Sequence, residues 1–333
     1  MDQTIDWGAL ARLRRTFLEE GAARRDYWHS RADLDSYDRT FAQRIAWKWD
    51  HVLAELARLG WSPPHGIVMD WGCGSGIAGR RFVGRFGPES VGGLVLRDRS
   101  RLAVEFAAEK ARQALPNLKV ACDAKGSDPP ATLLASHVIT ELRKPQLDAL
   151  VALAARVTAV IWVEPGTFEA GRALIAVRER LRGEFRIIAP CTHQNACGMI
   201  APGNERHWCH HFAESPPEVF MDGDWARFAK TAGVDLRSLP LSYLVFDKRP
   251  PPALPPVLVA LDPVVGDAVR IIGRPRIQKA HALIFGCDRA GAGDRRVAKR
   301  SFPEEYREFK RDEFDSLRRW ECDGDEVVRL API

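Results

Sequence analysis

Apolar positions near the start of the chain recur at helical spacing: Leu10, Leu13, Phe17 and Leu18, then Ile45, Trp47, Val52, Leu53, Leu56 and Leu59. They predict a helical extension over residues 1–60, closed by G-W-S-P-P-H-G, where Gly60, Pro63 and Pro64 stop any helix. From Ile67 the pattern changes to short apolar runs alternating with amphipathic stretches: I-V-M-D-W at 67, G-L-V-L-R-D at 93, L-K-V-A-C-D at 118, L-L-A-S-H-V-I at 133 and A-V-I-W-V-E at 159. Two further strand candidates, F-R-I-I-A-P at 185 and S-Y-L-V-F-D at 242, bring the count to seven. Such alternation predicts an α/β domain over 61–248 with a doubly wound, Rossmann-like, mostly parallel seven-stranded sheet. After Lys248 the run R-P-P-P-A-L-P-P marks a boundary, because consecutive prolines neither pair in a central strand nor continue a helix. Residues 249–333 then read as a small β-rich domain. Its strands are A-V-R-I-I-G-R-P-R and K-A-H-A-L-I-F-G-C-D, followed by a charged helix from about Glu304 to Trp320.

Composition narrows the class only a little. With 333 residues, 46% hydrophobic and 28% charged, the chain can bury a substantial core, and no apolar run approaches the roughly 20 residues a membrane span needs. The N-terminal M-D-Q-T-I-D-W carries Asp2 and Asp6 and has no apolar signal core, so a cytoplasmic location and no membrane partner are expected. A net charge of +5 is compatible with a polyanionic partner without requiring one.

The first chemical signal is D-W-G-C-G-S-G at 70–76, placed between a predicted strand and a plausible helix. Gly72, Gly74 and Gly76 allow a tight turn and close approach of the backbone to a ligand, and Asp70 can receive a cationic amino group. The spacing is neither the dinucleotide fingerprint nor a Walker loop. It resembles motif I of class I S-adenosylmethionine-dependent methyltransferases. That resemblance implies S-adenosylmethionine as cofactor, Asp98 at the end of the second strand for the ribose hydroxyls, and Asp123 after the third strand facing the adenine.

The second signal is thiol-rich. Of seven cysteines, Cys191, Cys197 and Cys209 fall within nineteen residues, together with His193, His207, His210 and His211, in a loop region at 190–215. In a reducing compartment such clustering reads as metal ligation before disulfides, and thiolates select zinc or iron-sulfur clusters. Spacings of six and twelve are unlike the short C-x-x-C knuckles of common zinc sites, and a Cys3His zinc site stays open as an alternative. A fourth ligand must come from elsewhere, and Cys287 at the end of a predicted strand is the candidate. Cys73, Cys122 and Cys322 are read as structural.

Several strings together resemble the methyltransferase-like small-subunit ribosome assembly factors of mitochondria and their bacterial relatives. They are S-H-V-I-T-E-L at 136, V-E-P-G-T at 163, A-P-C-T-H with Cys197 following, W-C-H at 208, and G-R-P-R with H-A-L-I-F-G-C at 273 to 287. The resemblance spans roughly residues 25 to 320. This chain has C-T-H where the family commonly has C-P-H, and an additional His211 after W-C-H. The resemblance implies a four-iron, four-sulfur cluster on Cys191, Cys197, Cys209 and Cys287, joining the methyltransferase core to the C-terminal domain. Its implied partners are small-subunit ribosomal RNA and ribosomal proteins.

Other residues offer less. Tyr27, Trp28, Arg44, Trp47 and Trp49 suit stacking on RNA bases, but core packing is the simpler expectation. Lys248, Arg249, Arg274, Arg276, Lys279, Arg295, Arg296, Lys299 and Arg300 make the C-terminal domain the better candidate for phosphate contact. His137 and Glu141 lie near the end of the fourth strand, where substrate-facing groups often sit; no methyl acceptor is assigned. The sequence thus points to a small-subunit assembly or maturation factor with a methyltransferase fold and an iron-sulfur cluster. An active rRNA methyltransferase, a redox-responsive RNA-binding module and a structural-zinc RNA-binding protein are the alternatives.

Overall fold

The computed structural model describes residues 4–19, 26–122, 129–250 and 266–333. The chain divides into two compact units, one of Met1–Pro165 with Phe212–Leu241, the other of Gly166–His211 with Ser242–Ile333. Among the described residues no helix is long and apolar enough to cross a membrane.

The first unit begins with three helices, α1 (Trp7–Leu18), α2 (Arg31–Asp38) and α3 (Phe41–Arg58). Asp6 and Ser30 cap the first two, each side chain accepting a backbone N–H of its helix's first turn. The amphipathic pattern is used as expected: α1 buries Ala9, Leu10 and Leu13, and α3 buries Trp49, Val52, Leu53 and Leu56. Five parallel strands follow, β1 (Ile67–Trp71), β2 (Gly93–Arg97), β3 (Val120–Cys122), β4 (Thr132–Ser136) and β5 (Ala159–Pro165), in the order β3-β2-β1-β4-β5. Between them run α4 (Ile77–Phe86), α5 (Arg101–Ala114) and α6 (Lys144–Ala154). Covering of both faces explains why β4 and β5 read as continuous apolar runs rather than alternating ones. Chain order reverses beside β1, so the carboxyl ends of β1, β2 and β4 open where ligands of such sheets bind.

In the second unit α7 (Phe168–Leu181) starts at the Thr167 cap, and β6 (Arg186–Ala189) follows. A short strand, β7 (His211–Ala213), adds to the seven expected ones. The helix α8 (Gly223–Ala232) belongs to the first unit. The strand β8 (Leu239–Asp247) lies antiparallel to β6, pairing Arg186 with Asp247 and Ile187 with Phe246.

From Asp267 onward the chain forms a closed barrel of β9 (Asp267–Ile277), β10 (His281–Asp288), β11 (Gly291–Ala298), β12 (Leu317–Asp323) and β13 (Glu326–Pro332). Its core gathers Val269, Ile271, Ala282, Ile284, Val297, Trp320 and Val327 with Tyr306 and Phe309 from α9 (Pro303–Arg311). Gly286 faces inward, and a Cβ there would run into the Trp320 ring. The α/β fold with a small C-terminal β-rich domain is therefore as expected. The helix from Glu304 to Trp320 is not: α9 stops at Arg311, where Asp312 turns left-handed (φ 61°), and Leu317–Trp320 are buried as a strand.

Candidate functional site

Two constellations carry the chemistry, one in each unit. In the first, the chain leaves β1 at Asp70 and turns through the glycine loop into α4. The N–H groups of Gly72 and Cys73 both donate to Arg97 O (2.7 and 3.0 Å), and Gly76 N–H donates to Cys73 O (2.7 Å). Left-handed φ of 68° at Gly72 and 77° at Gly76 make the turn possible. A Cβ on Gly72 would lie 2.6 Å from Val138 Cγ1, and one on Gly76 2.8 Å from Ala107 Cβ, so packing also demands glycine. Gly74 differs, since a Cβ there would meet nothing within 4 Å.

Asp98 accepts Gly74 N–H and Ser100 N–H (both 2.9 Å), which fixes its carboxylate at the rim of the loop with lone pairs left for a ligand's hydroxyls. Burial pushes Asp98 up from the usual carboxylate range, against the pull of those two N–H donors. Asp70 is fully buried; its Oδ2 accepts Gly79 N–H (2.9 Å) while Oδ1 has no partner, and burial pushes its pKa up to about 7. Ser75 Oγ is a second buried oxygen without a partner beside the loop. An orphaned acceptor, an orphaned hydroxyl and open space over Gly74 fit a cofactor with an amino group and ribose hydroxyls. Asp123 lies outside the described residues.

At the carboxyl ends of β4 and β5 the side chains are unusually buried for their polarity. His137 has φ 55° and its Nε2 lies 3.3 Å from Lys48 Nζ, while Trp49 Nε1 donates to Ser136 Oγ (2.9 Å). Burial brings Lys48 down to about 7 and, with Lys48 beside it, holds His137 well below the ordinary imidazole range. Glu164 Oε1 accepts Trp162 Nε1 (2.6 Å), Ile139 N (3.0 Å) and Val138 N (3.1 Å), and burial pushes its pKa up to about 7. Glu141 rises to about 7 for the same reason, and accepts from Tyr27 Oη (3.3 Å) and Arg99 (3.2 Å).

The N-terminal aromatics are packing residues: Trp28 and Trp49 are buried, Trp47 packs on Trp225 with centroids 5.0 Å apart, and Arg44 donates to Asp235 O and Ser238 O. Ser136 and Glu164 belong to strings that carry the family resemblance but have no role assigned from sequence, and nothing in the spacing of Lys48 separates it from a solvated residue.

In the second unit the structure brings Cys191, Cys197 and Cys209 of the 191–209 stretch together with Cys287 of β10. Cys197 and Cys287 are buried with Ile175, Met199 and Ile272, and Cys209 packs on the same group. Burial pushes the thiols of Cys197, Cys209 and Cys287 up, each further by the charge of neighbouring thiols. Histidines approach two of them: His193 Nε2 lies 3.5 Å from Cys287 Sγ and His211 Nε2 lies 3.5 Å from Cys209 Sγ. Among the described residues no group of three or more His, Cys, Asp or Glu closes on one metal-ion position. The remaining cysteines stand apart, Cys73 buried and Cys122 and Cys322 exposed.

The organiser of this region is Arg178, which the sequence reading passed over. It is 1% exposed and donates through Nε to Cys191 Sγ (3.3 Å), and through its other nitrogens to Asn195 O (2.9 Å), His193 O (3.4 Å) and Glu179. Glu179 in turn accepts Cys197 N–H (3.1 Å), and Arg270 Nε donates to Pro190 O (2.9 Å). The available signal was positional: Arg178 falls on the buried stripe of α7, four residues after Leu174 and three before Leu181.

Among solved structures, magnesium protoporphyrin IX methyltransferase from Synechocystis with bound S-adenosylmethionine is similar at 15% identity and TM-score 0.40, covering 75% of this chain and 100% of that one. A S-adenosylmethionine-dependent methyltransferase from Aquifex aeolicus matches at 15% identity and TM-score 0.37, covering 48% and 90%. No curated protein matches in sequence. A family model described as mitochondrial small ribosomal subunit Rsm22 matches residues 95–318, well over half of the chain, and the chain belongs to that family.

Proposed function

We propose that this protein is an assembly or maturation factor of the small ribosomal subunit, acting on or near its RNA and in the company of ribosomal proteins. It holds S-adenosylmethionine at the glycine loop and a four-iron, four-sulfur cluster on Cys191, Cys197, Cys209 and Cys287. The observation that carries the proposal is the gathering of four thiols from distant stretches within one compact unit of a chain that belongs to a ribosomal-subunit family.

The donor set suits the cluster. Each iron of such a cluster takes one thiolate, so four sulfurs stand around a body instead of converging on one ion. Arg178, through its N–H to Cys191 Sγ, and Arg270, through its charge near Cys209, would offset the net negative charge of such a cluster. When bound, the cluster supplies strong, oxygen-sensitive covalent cross-links between the 191–209 stretch and β10. In the first unit Asp98 would accept the ribose hydroxyls and Asp70 Oδ1 the amino group, while Gly74 leaves room for the ligand. S-adenosylmethionine supplies an electrophilic methyl group.

A second reading, an active rRNA methyltransferase, draws on one observation: the Lys48–His137 contact beside the loop sets two nitrogen bases where an acceptor would lose a proton. Methyl incorporation into subunit RNA that disappears in Asp98→Ala and His137→Ala would establish it.

The decisive experiment is iron and acid-labile sulfide analysis of protein purified without oxygen, with cosedimentation on small ribosomal subunits. About four iron and four sulfide per chain, lost in Cys287→Ser, are expected. One zinc without sulfide would sink the cluster and leave a structural zinc site. Failure to sediment with the subunit would sink the ribosomal role.

A further inference from the structure

The strands of the C-terminal barrel neighbour one another in the order β9-β10-β11-β13-β12 and back to β9. Every pairing is antiparallel except β11 with β13, which is parallel, and α9 is inserted between β11 and β12. First, second, third, fifth, fourth, with a helix after the third, is the connectivity of the five-stranded Greek-key barrels that bind oligonucleotides or oligosaccharides across their second and third strands. Topology alone assigns no ligand. The side chains on that face do.

Cross-strand pairing sets the outward residues of β9, β10 and β11 in rows: Arg270–Cys287–Ala292, Ile272–Phe285–Asp294, and Arg276–Leu283–Arg296. The two ends of this face differ. At one end Cys287 and Ile272 are buried with Met199, and the His207 ring stacks on Phe285 at 4.4 Å, so the cysteine stretch covers it. At the other end Arg276 and Arg296 are exposed on either side of half-buried Leu283. Exposed Lys279 in the β9–β10 turn and Lys299 after β11 extend the positive charge; Asp294, on the same face, pairs with Arg276.

Guanidinium planes flanking an aliphatic side chain suit an unpaired polynucleotide, whose phosphates take the charge and whose base faces are free to stack. A duplex hides those base faces. We infer that the outer face of β9–β11, at the end away from the cysteines, binds a single-stranded RNA segment; the choice of RNA rests on the ribosomal reading above. The segment spans about 4–16 nucleotides, the range of one such barrel.

The test uses full-length protein purified without oxygen and a fluorescent oligouridylate of about 12 nucleotides, free or paired with its complement. Wild type is expected to bind the single strand at least tenfold more tightly than the duplex. Arg276→Glu with Arg296→Glu is expected to weaken single-strand binding at least tenfold and to flatten the slope of log affinity against log salt by about 1 to 2. Arg276→Gln with Arg296→Gln gives a smaller loss in the same direction and preserves the fold if charge reversal does not. Undiminished binding by the Gln pair, or preference for the duplex, overturns the inference. Cosedimentation with small subunits separates the two claims. Variants that keep wild-type oligonucleotide affinity while wild type cosediments refute this face alone. Wild type that fails to cosediment but binds the single strand through these arginines refutes the ribosomal role alone.

Discussion

The cofactor loop of the first unit is seven consecutive residues, Asp70–Gly76, and its own backbone N–H groups hold its shape: two donate to Arg97 O, one to Cys73 O and one to the Asp98 carboxylate. The cysteines of the second unit are drawn from positions as far apart as Cys191 and Cys287, and side chains hold their surroundings, chiefly the single guanidinium of Arg178. Each therefore fails differently. The loop tolerates many neighbouring side chains but no Cβ at Gly72 or Gly76, whereas the cysteine region has backbone latitude and depends on one buried donor set.

The largest effect should follow from Arg178→Met. The change leaves the carbonyl of buried His193 without its donor, strips the Cys191 thiol and the Asn195 carbonyl of theirs, and removes a partner of Glu179, a cost of about 3 kcal/mol. Lysine should rescue little, since one ammonium cannot reproduce the fork that reaches Cys191 and two carbonyls at once. Thermal melting of the second unit reads this out. A melt within about 0.5 kcal/mol of wild type would mean that the backbone, as in the glycine loop, holds the region after all.

The loop itself sharpens the comparison through two alanines. Gly72→Ala must accept φ 68° and press on Val138 Cγ1, a loss of about 2 kcal/mol in stability. Gly74→Ala meets open space and pays only for φ 53°, about 1 kcal/mol. Yet its methyl group enters the space assigned to the ligand, so S-adenosylmethionine affinity by calorimetry should fall at least tenfold in Gly74→Ala while its melt shifts less than that of Gly72→Ala. Equal affinity in Gly74→Ala and wild type would place the ligand elsewhere.

The same contrast explains what the sequence discloses. A site made of adjacent residues after an apolar strand is legible as a string, as D-W-G-C-G-S-G is, whereas Asp98 enters only with the methyltransferase resemblance. Clustering exposed Cys191, Cys197 and Cys209 as a group, but bringing Cys287 to them takes the pairing of β10 with β9, which local pattern does not encode. Arg178 and Lys48 are harder still, because a cation on a helix looks solvated until tertiary packing buries it. In the barrel, β9 and β10 carry enough apolar residues to be seen, whereas β11, G-A-G-D-R-R-V-A, is polar and glycine-rich and owes its strand to its neighbours. The stretch Leu317–Trp320 continued a helical charge pattern on paper, and the left-handed Asp312 broke it.

The smallest expected effect is one of pH, and it belongs to the first unit. Burial raises Glu164 to about 7, so the folded chain keeps a proton there that the unfolded chain gives up above roughly pH 4.5. The stability from that proton is whole below pH 4.5 and is lost as pH rises to about 7; Asp70 and Glu141, raised likewise, add to the slope. Lys48, whose charge would favour the ionised Glu164, offsets part of it. A glutamine at 164 accepts the Trp162, Val138 and Ile139 N–H groups through its carbonyl and cannot ionise. Glu164→Gln should therefore lose less stability than wild type between pH 5 and pH 8, by on the order of 1 kcal/mol in paired melts. Arg178→Met, acting in the other unit, should leave that difference untouched. If Glu164→Gln and wild type lose stability in parallel, the buried carboxyl carries no such proton, and Glu164 is charged at the carboxyl end of β5.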